Sequence, residues 1–144
     1  MPQQAFKGHV PADRRYCAQT DMWVMPQGEN ILIGATSFGL HLAGHVIAFT
    51  SKPRGALIQR SKGMATIECH KTVLAVHAPV SFELVSINGA AEEQPALINE
   101  APYGDGWMAL GSPTNWSTEA GLLCDAETYK RHIRLIDPEA QLDD

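Results

Sequence analysis

Paired cysteines, long apolar runs and an excess of basic residues are all missing from this sequence, and each absence removes a class of protein. The three cysteines, Cys17, Cys69 and Cys124, are an odd number with no Cys-x-x-Cys among them, so neither a disulfide framework nor a zinc knuckle is indicated. Reduced thiols in a bacterial cytoplasm are the simplest expectation. Met1 to Arg15 holds no apolar stretch of the signal-peptide kind, and no segment reaches the length that spans a bilayer. The Arg14-Arg15 pair lies in a short, proline-containing, non-amphipathic stretch, which argues against an organellar presequence. Charge is short on the positive side: the net value is −5, with 8 Lys/Arg against 5 Asp/Glu in residues 1 to 90 and 3 against 11 beyond. A segment at −8 cannot supply the basic stripe that displaces counterions from nucleic acid. Internal repeats and low-complexity tracts are absent as well.

What remains is a chain of 144 residues, 44% hydrophobic, enough for one domain with a single core. Residues 1 to 15 are polar, carry Pro2 and Pro11, show no periodicity and predict a loosely ordered arm. Residues 16 to 144 then make up the domain. Tyr16 to Met25 and Ile31 to Gly34 read as a hairpin about Pro26-Gln27-Gly28, and Ser37 to Gly44 as a short helical turn. Val46-Phe49, Ala56-Gln59, Met64-Ile67, Phe82-Gly89 and Trp107-Leu110 follow as short strands separated by turn residues, the pattern of a sandwich or barrel. Ala90 to Ala101 is mostly turn, with a short helix at Ala90 to Gln94. Leu122, Ala126, Tyr129 and Ile133 then form one apolar stripe of a helix that Pro138 stops.

The most distinctive stretch runs from Ala65 to Val80. Apolar, β-branched arms (Ile67; Val73, Val76 and Val80) flank Glu68-Cys69-His70-Lys71, so Lys71 stands at or beside a hairpin tip. Glu68-Cys69-His70-Lys71-Thr72, Ala78-Pro79-Val80-Ser81 and Val85-Ser86-Ile87-Asn88 together resemble the lipoyl-lysine hairpin of the glycine cleavage system H protein family. Pro102-Tyr103-Gly104-Asp105-Gly106-Trp107 resembles that family's Pro-Tyr-x-x-Gly-Trp signature, and Leu122 to Tyr129 the start of its C-terminal helix. The resemblance covers about residues 16 to 136. It implies a mainly β, lipoyl/biotinyl-type barrel-sandwich hybrid with a C-terminal α-helix and short additional helices. It also implies a non-catalytic carrier, with lipoate joined covalently to Lys71 and Glu68 read by the lipoylating enzyme. The arm would take an aminomethyl group from glycine decarboxylase, pass its carbon on at an aminomethyltransferase, and be reoxidised by dihydrolipoyl dehydrogenase.

Around that lysine, His70 and His77 are candidates for tuning the arm's surroundings, and Cys69 for exchange with a dithiolane. His41 and His45 have the i,i+4 spacing of a metal pair but no third ligand, so no metal is expected; neither is a nucleic-acid or membrane partner, and the chain is expected to be a monomer. Three positions depart from the family's pattern. Phe82 replaces a glycine that permits close approach to the hairpin, Thr50 to Gly55 is basic where the family is acidic, and Asp21-Met22 precedes Trp23 in place of His-Glu. Two alternatives therefore stay open: an H-like lipoate-binding protein of another pathway, such as heterodisulfide-reductase-like sulfur oxidation, and a scaffold that has lost lipoylation. A biotin carrier is disfavoured because Cys69-His70-Lys71-Thr72 lacks Met-Lys-Met.

Overall fold

Alternation of apolar and polar residues, broken by turn signals, produces mostly β structure in the computed structural model, which describes residues 4 to 143. The first part of the chain forms β1 (Lys7–His9), β2 (Arg15–Cys17), β3 (Met22–Gln27), β4 (Asn30–Ala35), α1 (Ser37–Ala43), β5 (Val46–Ser51) and β6 (Leu57–Ile58). The central hairpin is β7 (Gly63–Cys69) and β8 (Thr72–His77). Then come β9 (Phe82–Ile87), α2 (Gly89–Glu93), α3 (Ala96–Glu100), β10 (Ala109–Pro113), α4 (Trp116–Glu119), α5 (Ala126–Ile136) and β11 (Gln141–Asp143). A six-stranded sheet in the order β2-β3-β4-β10-β9-β6 faces a three-stranded sheet β5-β7-β8. This is the mainly β hybrid, with its C-terminal helix, that the sequence led us to expect.

The six-stranded sheet is covered on both faces, and β3 shows how its sequence permits that. Met22 and Val24 point into the core shared with β5, β7 and β8, while Trp23 points the other way, against Phe38, Tyr129 and Ile133. Both sides of the strand are therefore apolar, as a doubly covered strand requires. Trp23 also presses on its strand partner Gly34, where an added Cβ would lie 2.5 Å from the indole. Its Nε1 donates to the Pro102 carbonyl at 3.0 Å. On α5, Asp125 caps the helix by accepting from Thr128 N at 2.9 Å. Ala126, Tyr129 and Ile133 are buried as the stripe predicts, whereas Leu122, in the 3-10 turn before the helix, is exposed.

Several expectations are corrected. The described part of the segment read as a loose arm is docked: β1 pairs in parallel with β11, and Phe6 and Val10 are buried. Its ordering residues are two apolar side chains in a polar stretch, a pattern without periodicity, and its partner strand lies 131 residues or more downstream. Residues 89 to 100 form two short helices rather than mostly turn, the first capped by Asn88. Pro26 belongs to β3, opposite Ile31, and not to the turn. The strand expected at Trp107-Leu110 begins at Ala109, held between β4 and β9.

Candidate functional site

Register in the β7–β8 hairpin decides which of the candidate residues stand at its tip. Cys69 pairs with Thr72 and Glu68 with Val73, so His70 and Lys71 alone make the connection. Neither has a positive φ. Lys71 is exposed, and no hydrogen bond or ion pair engages its amine among the described residues. Glu68 lies on the outer face one pair below the tip, also exposed. Alternation along β7 turns Cys69 the other way: it is 4% exposed, belongs to the core, and burial pushes its thiol up. Cys69 is therefore a packing residue of the core, with only a small edge reaching the cleft beside the tip. His77, at the far end of β8, is not part of the tip.

The tip gains a residue that sequence spacing did not connect to it. His45, just before β5, places its ring over His70 with centroids 6.3 Å apart and planes at 23°. The backbone on either side of His45 is clamped by Asn99, whose Oδ1 accepts from Val46 N at 2.9 Å and whose Nδ2 donates to the Gly44 carbonyl at 3.2 Å. His41 does not join it: its ring packs 5.4 Å from that of Phe6. A cleft of about 250 Å³ beside the tip is lined by His45, Cys69, His70, Lys71 and Thr72. Among the described residues no three His, Cys, Asp or Glu side chains converge as a metal centre.

A second groove of about 260 Å³ runs along β8, which among the described residues has no strand partner on its outer edge. Leu40, Leu42, Leu74, Val76 and Met108 make it apolar, and Thr20 and Asp21 form its polar end. Asp21 anchors a chain of hydrogen bonds. Gly39 N donates to Thr36 Oγ1 (3.0 Å), and Tyr129 Oη donates to Asp21 Oδ1 (2.7 Å). The Thr36 hydroxyl, 2.7 Å from Tyr129 Oη, is thereby left to donate to it. Burial raises the Asp21 carboxyl above its ordinary range, and the Tyr129 bond and nearby His132 offset only part of that. Elsewhere, Ser81, just before β9, is held by Glu119, which accepts from its N at 2.6 Å and its Oγ at 2.8 Å. Sequence pattern did not single out Glu119, because an acid in a short polar helix reads as solvated.

With this geometry in place, the chain can be set beside known proteins. Residues 14–135 match the sequence profile of the glycine cleavage H-protein family. The chain belongs to that family. It is 34% identical over 121 residues to the glycine cleavage system H protein of Thermus thermophilus, spanning 84% of this chain and 93% of that protein. It is 36% identical over 136 residues to glycine cleavage system H protein 5 of Aquifex aeolicus, spanning 92% and 90%. The crystal structure of a Mycobacterium marinum glycine cleavage system H protein superposes with a TM-score of 0.75 at 29% identity, covering 85% of this chain and 97% of that one.

Within the family fold, two of the departures change their meaning. Phe82 does not crowd the lysine hairpin: it is fully buried in the six-stranded sheet, and its ring lies on Gly111, where an added Cβ would sit 2.4 Å from Cδ2. The basic Lys52 to Arg54 segment follows β5 at the end of the small sheet opposite Lys71, beside Met64 rather than Cys69. No helix is long and apolar enough to cross a membrane among the described residues.

Proposed function

We propose that this chain is a lipoyl carrier of the glycine cleavage system type, with lipoate in amide linkage to Lys71. The observation that carries this reading is a single lysine, exposed and unpaired, at the two-residue tip of a hairpin whose arms are tied into a packed sheet. The residues fit the group. A carrier lysine needs a held backbone and a side chain free to swing, and this tip supplies both without a backbone rearrangement. When bound, the lipoyl group supplies a dithiolane that accepts and releases an aminomethyl group and two electrons.

The protein's own residues do the rest. Cys69 and Thr72 close the hairpin and fix where the arm is rooted. Glu68, exposed on the outer face beside the tip, is the side chain a lipoylating enzyme would read. The packed core beneath the tip holds the hairpin rigid while glycine decarboxylase, aminomethyltransferase and dihydrolipoyl dehydrogenase are visited in turn.

Intact mass and peptide mapping of protein from its native host test the reading. A lipoyl increment confined to the peptide containing Lys71, abolished in Lys71→Arg without a change in Tm, is the expected result. A homogeneous unmodified mass, in cells whose other lipoyl proteins are modified, would return the chain to the scaffold alternative. Lipoylated protein that accepts no aminomethyl group from glycine decarboxylase would return it to a carrier of another pathway.

A further inference from the structure

Among the described residues, all the sheet edges but one are short or covered. β5, one edge of the small sheet, is packed by α2 and α3, and Asn99 and Glu92 of those helices accept from the backbone N of Val46 and Ser51. In the larger sheet, β2 closes on Cys124 through the Tyr16 bridge, and β6 is two residues long. β1 and β11 have three residues each. β8 is the exception. It has six residues, and Thr72 to Val76 runs in unbroken register with β7, with no lysine, proline or bulge to blunt the edge.

Antiparallel strands alternate between pairs that exchange hydrogen bonds and pairs that do not, and the pair closing a two-residue connection is of the first kind. Cys69 and Thr72 close this hairpin. Thr72, Leu74 and Val76 therefore turn their backbone groups to β7, and Val73 and Ala75 turn theirs to the open edge. No other group takes these up among the described residues. On the core-facing side of the same edge lies the apolar groove, walled by Leu74 and Val76 of β8 and by Leu40 and Leu42 of α1. A strand laid along β8 satisfies the outward backbone groups and turns every second side chain toward that groove.

We propose that β8 receives an extended segment of the enzyme that acylates Lys71, added as a fourth strand of the small sheet with apolar residues at alternate positions. The inference rests on lipoylation of Lys71. Thr72, the first residue of the edge, adjoins that lysine, so pairing along β8 fixes the lysine backbone in the enzyme's frame. An enzyme that joins a group to the amine must bring Nζ itself to its reacting atoms, whereas one that meets the finished arm needs only the arm's far end. A second copy of this chain fits the edge less well. Six residues at about 3.3 Å each give an edge of about 20 Å, too short to bury by itself the roughly 1,200 Å² of a stable dimer.

Amide hydrogen exchange tests this on the unmodified carrier, alone and saturated with the lipoylating enzyme of its native host, the acyl donor being left out. The amides of Val73 and Ala75 should slow tenfold or more in the complex, while that of Leu74, already bonded to β7, changes little. In lipoylation assays with the donor supplied, Ala75→Pro removes one outward N–H at an edge position that accepts proline. It should raise the KM for the carrier about tenfold and leave kcat unchanged, and Ala75→Val, which keeps the N–H, should stay within twofold. Circular dichroism checks the fold of both variants. Unslowed Val73 and Ala75 amides, or an Ala75→Pro variant with the parent's KM, overturn the inference while acylation of Lys71 leaves the carrier reading intact. Slowing that needs no enzyme and grows with carrier concentration gives the edge to a second copy and also overturns it. Failure of the enzyme to acylate Lys71 overturns both.

Discussion

Phe82 and Gly111 illustrate how one residue's meaning depends on its neighbour. Phe82 is fully buried and its ring occupies the space a Cβ at position 111 would need, so the two positions form a large–small pair across β9 and β10. Gly111→Ala should lose about 1–3 kcal/mol by overpacking, and Phe82→Ala about 3–5 kcal/mol by opening a cavity; urea denaturation measures both. In Phe82→Leu the cost of Gly111→Ala should shrink, a non-additivity expected only of residues in contact. Asp21 makes a pH-dependent contribution. Burial raises its folded-state pKa, so the native protein retains a proton that the unfolded chain has already released. Its contribution is complete below the unfolded value and is lost as pH climbs through the folded one. Asp21→Asn still accepts from Tyr129, and asparagine tolerates the φ of 55° found there. The urea midpoint of this variant should therefore fall less than the parent's across that acidic window. Parallel profiles would mean that Asp21 does not titrate there.

Elements far apart in the chain support one another around α5. Tyr129 stacks on Tyr16 of β2 with ring centroids 4.9 Å apart and planes at 2°, and its hydroxyl joins Asp21 to the cap of α1. Tyr129→Phe would leave the buried Thr36 hydroxyl and the Asp21 carboxyl each short of a partner, a loss of about 1–3 kcal/mol readable as a lower Tm. The β1–β11 ribbon depends on Phe6 in the same way. Phe6 packs edge-on against Phe38 at 5.3 Å, and its backbone N donates to Asp137 Oδ2 at 2.8 Å. Phe6→Ala should cost about 3 kcal/mol or more and speed amide exchange at Gln141, which donates to the Phe6 carbonyl. Exchange at Ile67, inside the β7–β8 ladder, should change far less. Uniform acceleration at both would make the ribbon part of the same cooperative unit as the core.

At the scale of the whole molecule, the basic segment and the proposed carrier lysine lie at opposite ends of the small sheet. Lys52 and Arg54 stand roughly 20 Å from the tip, the span of β7 at about 3.3 Å per residue, since Lys52 adjoins Met64 while Lys71 adjoins Cys69. That is more than twice the Debye length at physiological ionic strength. Lys52→Ala together with Arg54→Ala should therefore shift the KM of dihydrolipoyl dehydrogenase for the reduced carrier by no more than about twofold at that salt. A larger shift would place the basic end inside the partner's footprint.

Much of the architecture was legible because it is local. Turn residues delimited the strands from β4 to β9, the 4-3-4 apolar spacing marked α5, and the motif around Lys71 marked the hairpin. β1, β11 and the docking of the first residues were not legible, since their order comes from partners at the other end of the chain rather than from any pattern of their own. The inward turn of Cys69 follows from a register that only strand pairing sets. The same holds for the meeting of His45 with His70 and the seating of Phe82 on Gly111. Which segments become strands, and which lysine stands exposed, could be read from the residues alone, because periodicity and turn chemistry act between near neighbours. What surrounds that lysine was settled by the closing of the sheets, because contacts between residues 25 or more positions apart do not exist before it.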